Sequence, residues 1–402
     1  MRTSSVVTAV RSATIYVPDT LSNALEYTNQ AKSSDMALPQ THRALTLTSR
    51  SSPLEVHAVP TPQPVSGSVV LRVLAVPIIS YAGEVYSGAA SRSMYSFPLP
   101  FVPGTSCIGR VAATGADATS LEKGQLVYFD FTIRGRDDPD AIFLSGLTDG
   151  KKPGSVKLMG DMWRDSTFAE YANVPLENCH ALEEGVFTVE EYCDLGRLLV
   201  PFGGLRDIDL KSGETIVIAP ATGPYGSAAV QVALGMGAGK VIAMGRNETS
   251  LARLASMSDR VAIIKLSGKV ESDLAAIQAS AKGPVDAFFD ISPPEAAGLP
   301  HTKAGILSLR RNGRASLMGG MGADLSVPYL HLVFNNIKLQ AKWMYEREDI
   351  VLFLKMIRTR VIRFGTEAGL EVKGKFKLDE WKLAFDTARM NAKPGMLCIF
   401  AP

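Results

Sequence analysis

From His42 to about Gly204 the apolar positions come in short runs rich in β-branched residues: "HRALTLT", "LEVHAVP", "GSVVLRVLAVPI", "CIGRVAATG" and "GQLVYFD", separated by Pro, Gly and Ser clusters. Runs of strand length with such frequent punctuation predict an irregular β-barrel. Around "LKSGE", Leu210–Glu214, the pattern changes. A continuous apolar run, "TIVIAP", leads into a small-residue helical stretch, "GSAAVQVALGMGA", and on to a second apolar run, "KVIAMG". "RVAIIKL", "PVDAFFDIS", "RASLMGG" and "NIKLQA" repeat the buried-strand pattern, with helix-compatible segments between several of them. Apolar strands alternating with helices predict a parallel sheet covered on both faces, the doubly wound α/β arrangement. The helix-like "REDIVLFLKMIRTR" closes that region, and the last segment adds a short helix and a final strand that rejoin the first part. The expected division is an N-terminal extension over 1–40, a β-barrel over 41–204, an α/β domain over 205–345 and a return to the barrel over 346–402.

Charge narrows the classes of partner. With 42 Lys and Arg against 40 Asp and Glu, and no long run of one sign, neither nucleic acid nor an anionic membrane surface is expected as the main partner. No apolar segment approaches the ~18 to 20 residues of a membrane span. The cysteines, Cys107, Cys179, Cys193 and Cys398, form no Cys-x-x-Cys pair and read as reduced thiols of a cytoplasmic protein. The opening "MRTSSVVTAVRSATIYV" carries Arg2 and Arg11 and no acid before Asp19. That is the character of a mitochondrial transit peptide, the alternative to a flexible tail without catalytic consequence.

The most specific chemical signal is Ala221-Thr222-Gly223-Pro224-Tyr225-Gly226. It is an A-x-G-x-x-G variant of the dinucleotide fingerprint, and it follows an apolar strand and opens a small-residue helix, as the fingerprint requires. Gly223 lets backbone amides approach a pyrophosphate, Gly226 lets the helix pack close to the sheet, and the helix N-terminus favours the phosphates. Ala221 in place of the first glycine requires a turn that avoids positive φ there. An NAD site carries an acid after the second strand to accept from the ribose 2′-hydroxyl, but this chain has Gly245-Arg246-Asn247. The missing carboxylate removes repulsion against a 2′-phosphate and Arg246 can grip it, with Lys240 adding charge from the start of the strand, so NADPH is the expected cofactor.

These residues, with "PFVPGTSCIGRVAATG", "STFAEYANVP", "VDAFFD" and "RASLMGG", resemble the medium-chain dehydrogenase/reductase family over about His42 to Pro402. That family includes zinc alcohol dehydrogenases and zinc-free quinone and enone reductases. The resemblance implies a GroES-like β-barrel catalytic domain interrupted by a Rossmann domain, with the active site in the cleft between them. It also implies contacts from Met318 and Gly319 to the nicotinamide carboxamide, and a homodimer paired through the Rossmann domains or, alternatively, a monomer. Catalytic zinc in the family needs thiolate and imidazole donors. Here the first Cys position falls on Ile79, the His position on Thr105, and the second Cys position near Gly196, with Cys193 three residues away. No metal is expected.

Without a Lewis acid, conjugate hydride addition to an enone or quinone leaves an enolate that hydrogen bonds can hold. Direct reduction of a ketone or aldehyde needs a side-chain acid instead. The family's Ser/Thr relay position aligns with Tyr81, either a proton donor or an aromatic wall of the pocket. Ser80, Thr105 and Ser106 are further candidates for orienting a substrate oxygen. The expectation is a zinc-independent, NADPH-dependent reductase of an activated C=C in a small organic substrate. The alternatives are a metal-free carbonyl reductase, and an NADPH-binding partner protein without turnover of its own.

Overall fold

The apolar runs of the first part fold as β1 (Thr41–Thr46), β2 (Glu55–Pro60), β3 (Ser68–Pro77), β4 (Cys107–Thr114), β5 (Leu126–Phe129), β6 (Thr132–Arg134), β7 (Ile142–Leu144), β8 (Tyr171–Pro175) and β9 (Cys179–Ala181). The second part contributes β10 (Thr215–Ala219), β11 (Lys240–Gly245), β12 (Val261–Lys265), β13 (Val285–Asp290), β14 (Leu309–Leu317) and β15 (Lys338–Ala341), and the C-terminal segment β16 (Glu371–Phe376) and β17 (Met396–Phe400). This is a computed structural model, and it describes residues 37–89 and 92–402. Gln40–Pro402 form one compact unit. The expected extension lies, apart from its last residues, outside the described residues.

The sheet of the second part runs β12-β11-β10-β13-β14-β15, and every pairing in it is parallel. Both faces are buried, as predicted. Along β10 alternate side chains go to opposite sides: Ile216 and Ile218 join the large core that also fills the first part, whereas Val217 and Ala219 pack with Ile242, Met244, Phe288 and Ile306 in a smaller one. Strand order reverses between β10 and β13, and such a switch point leaves a crevice beyond the strand ends.

The other large sheet runs β16-β17-β3-β4-β5-β9, with β8 also on β3. β17 lies antiparallel on β3, so the C-terminal segment does return to the first part. Register pairs Cys107 with Phe129 and Ile108 with Tyr128, which puts Ser106, Tyr128 and Asp130 on one face. Among the described residues no helix is long and apolar enough to cross a membrane.

Of the helices that escaped the strand-and-loop reading of the first part, Ala82–Tyr86, Pro153–Asp161, Val189–Tyr192 and Leu195–Asp207, the last is the longest. Its Pro201, Gly203 and Gly204 disguise it, since proline and glycine oppose helix interiors, yet all three are buried. A Cβ on Gly203 would fall 2.7 Å from the Met344 carbonyl oxygen and one on Gly204 2.1 Å from the Met318 sulfur. The glycines are therefore contact positions, and the expected boundary between 204 and 205 falls inside a continuous helix. β14 also begins earlier than "RASLMGG", at Leu309.

Candidate active site

The fingerprint segment sits at the switch point. β10 ends at Ala219, and a helix spanning Pro224–Gly235 starts with Gly223 as its N-cap and Pro224 at its first position. Proline suits that position because its missing N–H has no intrahelical partner anyway. Gly226 carries the close approach: a Cβ there would lie 2.0 Å from the Pro220 carbonyl oxygen. Gly223 is the reverse case, with nothing within 4 Å of where its Cβ would stand. The open space lies where the helix presents its unpaired first-turn amides, an arrangement that suits a phosphate. Ala221 is buried, donates its N–H to Met244 at 2.7 Å, and lies outside the positive-φ region. Thr222 lies against Gly245, where a Cβ would come within 2.3 Å of the threonine methyl.

Past Gly245, Arg246 is exposed. Asn247 takes a structural part, accepting from the Ser250 N–H at 2.8 Å to cap the helix Glu248–Ala255. Lys265, level with Gly245 on β12, reaches Glu248 at 2.5 Å. Lys240 is a correction. It opens β11, so the strand places it about 17 Å from Gly245 at ~3.3 Å per residue, at the end of the sheet away from the switch point. Its ammonium donates instead to the Ser280 carbonyl.

The remaining candidates converge on one cavity of about 330 Å³ between the two sheets. Ser80, Tyr81, Thr105 and Ser106 line it from the antiparallel side, and Pro224, Tyr225, Met318 and Gly319 from the parallel side. Gly319 is pressed against the β13 end, since its Cβ would fall 2.7 Å from the Ser292 carbonyl oxygen. Tyr81 stacks obliquely on Tyr95 at 5.9 Å, under the Arg92 guanidinium at 4.8 Å, and that guanidinium is held by Glu84 at 2.8 Å and Glu295 at 3.3 Å. Burial, with help from the neighbouring phenols of Tyr225 and Tyr95, pushes the Tyr81 hydroxyl well above a phenol's ordinary pKa, and burial lifts Tyr225 to about 12. Tyr81 is therefore a neutral hydrogen-bond donor at physiological pH.

Thr105 needs correcting as a substrate-orienting group. Its hydroxyl donates to the Pro77 carbonyl at 3.0 Å, and the residue is 2% exposed. It braces the end of β3 against the turn before β4. The hydroxyl next to it, Ser106, enters a different network. Tyr128 hydrogen-bonds Ser106, Tyr128 and Tyr345 hydroxyls lie 3.4 Å apart, and Tyr345 donates to Asp130 Oδ1 at 2.7 Å. Tyr128 and Tyr345 alone are 217 residues apart, and no spacing in the sequence could have signalled the network. A second buried cluster underlies the Met318 side of the cavity: Ser292 lies 2.7 Å from His301 Nε2 and Thr302 donates to Asp290 at 2.6 Å. His301 Nδ1 has no partner among the described residues, so the cluster lacks the second hydrogen bond that orients a catalytic imidazole and serves to pin the loop after β13.

The positions that the resemblance assigns to zinc do not fit the metal. Ile79 and Gly196 face the cavity without a donor atom on the side chain, and the Thr105 hydroxyl is spent on Pro77. Cys193 and Cys398 also line the cavity. Burial raises both thiols, Cys398 to about 11, so neither is a ready thiolate. Among the described residues no group of three or more His, Cys, Asp and Glu is placed to hold a metal ion.

Comparison with known proteins agrees with this architecture. Residues 65–184 match the family model of the alcohol dehydrogenase GroES-like domain, and residues 224–359 that of the zinc-binding dehydrogenases. An L-threonine 3-dehydrogenase of Anaeromyxobacter dehalogenans is 25% identical over 338 residues, covering 83% of this chain and 91% of its own. A putative alcohol dehydrogenase from Sinorhizobium meliloti superposes with a TM-score of 0.71 at 23% identity, over 91% of this chain and 98% of that one. A putative zinc-binding dehydrogenase of the same organism, bound to NADP, gives 0.70 at 18% identity over 90% and 100%. With its parallel sheet in doubly wound order, its second antiparallel sheet and the cleft between them, the chain belongs to the medium-chain dehydrogenase/reductase family of oxidoreductases.

Proposed function

We propose that the chain is a zinc-independent, NADPH-dependent reductase that delivers hydride to an activated C=C of a small enone or quinone. The observation that carries this reading is the cavity wall itself: Ile79, Thr105 and Gly196 supply no metal donor, while the neutral phenol of Tyr81 faces the same space. When bound, the dihydronicotinamide supplies the hydride. Met318 and Gly319 would flank its ring, Gly223 and the first turn of the helix Pro224–Gly235 would hold the pyrophosphate, and Thr222 and Arg246 the adenosine end.

The chain's own contribution is electrostatic. Negative charge developing on the substrate oxygen is stabilised by the Tyr81 hydroxyl, with Ser80 beside it, in a largely apolar cavity where each hydrogen bond is stronger than in water. Delocalised over an enolate, that charge needs less help than the alkoxide of a simple ketone, which is why the C=C is favoured over the C=O. Preference for NADPH is supported by the absence of an acid at positions 245 to 247, where β11 ends, and by exposed Arg246. A homodimer belongs to the same proposal: β15 is an open sheet edge, and the adjacent helix Tyr329–Asn335 exposes Tyr329, Leu330, Val333 and Phe334.

The test is one incubation with 4-deuterated NADPH and cyclohexenone, followed by NMR. Deuterium on the β-carbon is the expected result. Deuterium on the carbinol carbon assigns carbonyl reduction, the chemistry of an alcohol dehydrogenase, and overturns the proposal.

A further inference from the structure

We propose that Ser106, Tyr128, Tyr345 and Asp130 form a proton relay that joins the cavity to solvent in a second pocket. The inference rests on the hydride-transfer reading above and names the source of the accompanying proton. Ser106 lines the cavity, and Asp130 lines a separate polar pocket of about 560 Å³. Exposed Thr119 and Ser120 border that pocket, so water reaches it. Between these ends run the Ser106–Tyr128 hydrogen bond, the 3.4 Å contact of Tyr128 with Tyr345, and the 2.7 Å bond of Tyr345 to Asp130.

Two features suit the chain to carrying protons rather than to stability alone. Asp130 is 2% exposed, yet it borders the pocket and both hydrogen bonds to its side chain, from the Thr132 N–H at 3.0 Å and the Tyr345 hydroxyl at 2.7 Å, fall on Oδ1, so Oδ2 is the oxygen left to exchange a proton with water. Gly196 makes room for the junction: a Cβ there would stand 2.9 Å from Ser106 Oγ and 3.3 Å from the Tyr128 hydroxyl. The residue that withholds a metal donor is thus the one that lets these two hydroxyls meet.

With the Tyr81 hydroxyl hydrogen-bonded to the substrate oxygen, the relay supplies the second proton need of the reaction, the one met at carbon after hydride transfer. In reduction Ser106 gives its hydroxyl proton to the substrate anion. It regains one from Tyr128, which takes one from Tyr345, which takes one from the Asp130 carboxylic acid. Water in the polar pocket reprotonates Asp130, so one solvent proton is consumed per hydride. With Asp130 ionised, the Tyr345 hydroxyl points at it, and the chain runs the opposite way, drawing a proton out of the cavity. The protonation state of Asp130 therefore sets the direction. Burial lifts its pKa, opposed by the Thr132 N–H, the Tyr345 hydroxyl and Arg134. Other charges lining the pocket are Arg136, Arg347, Glu177 and Asp117. On β9, burial keeps the Cys179 thiol protonated and His180 neutral, the latter with a pKa of about 4.

Tyr345→Phe cuts the relay and keeps the ring. With cyclohexenone and NADPH it is expected to lower kcat about 10²-fold, the usual worth of a positioned proton donor, to leave KM within about twofold, and to raise the solvent isotope effect on kcat. Ser106→Ala, a smaller change, gives the same pattern should the first variant fold poorly. A readout without turnover uses protein labelled with ¹³C at the tyrosine ζ-carbon. The Tyr128 resonance follows the titration of Asp130 in the wild type and ceases to do so in Tyr345→Phe. Wild-type kcat and solvent isotope effect in both variants, or a Tyr128 resonance indifferent to Asp130 in the wild type, overturns the relay. Failure of the functional reading is separate: the wild type then leaves cyclohexenone unlabelled, while the carbon resonance still reports whether the hydroxyls are coupled.

Discussion

The two walls of the cleft are built by opposite means. On the parallel side the work falls to backbone and to missing side chains: Gly226 seats a helix on a carbonyl, Gly223 leaves space open, and Gly319 presses against the end of β13. On the antiparallel side it falls to side chains with hydroxyl groups, each fixed by burial and by a partner from a remote segment. A wall of the first kind recognises what ligands of one class share, such as a pyrophosphate. A wall of the second kind handles protons and charge, and its chemistry changes when one hydroxyl is removed without disturbing the chain path.

That contrast predicts a graded response to substitution. The backbone wall should tolerate nothing: Gly226→Ala forces a methyl to within 2.0 Å of the Pro220 carbonyl oxygen, so a loss of about 3 kcal/mol of stability and of cofactor binding is expected in urea unfolding and fluorescence titration. The hydroxyl wall should lose rate and keep its fold. Tyr81→Phe is expected to lower kcat about 10²-fold with little change in melting temperature. Its neighbour Thr105→Val should do the reverse, costing about 1 kcal/mol of stability through the lost bond to Pro77, with a far smaller effect on kcat. Equal kinetic losses at the two positions would show that the wall acts as a unit. The most selective effect is expected at the outer edge, where Arg246→Ala should weaken NADPH about ten- to a hundredfold and leave NADH nearly unchanged, as read by calorimetry.

The same contrast explains what the sequence made legible. The strands of the parallel sheet and the fingerprint could be read because their determinants are local: apolar runs of fixed length, and glycines at fixed offsets from a strand end. Tyr81, Thr105 and Ser106 could be brought to one pocket only through the resemblance. The hydroxyl of Thr105 then turned out to face Pro77, a choice set by packing that no motif encodes. Lys240 went astray because proximity in sequence to Gly245 hid its position at the opposite strand end. The helix Leu195–Asp207 was obscured by Pro201 and by glycines that contacts with β14 and Tyr345 require. Nothing in the sequence singled out Asp130, whose side chain meets the Tyr345 hydroxyl from 215 residues away.

Thr222 against Gly245 has a consequence for how this cofactor site can change over generations. An acidic side chain at 245, the simplest route toward NADH, would collide with the threonine methyl at 2.3 Å before its charge could matter. Thr222 must shrink or turn aside before such a side chain fits. The two positions are thus coupled, and an engineer who changes one has to accommodate the other.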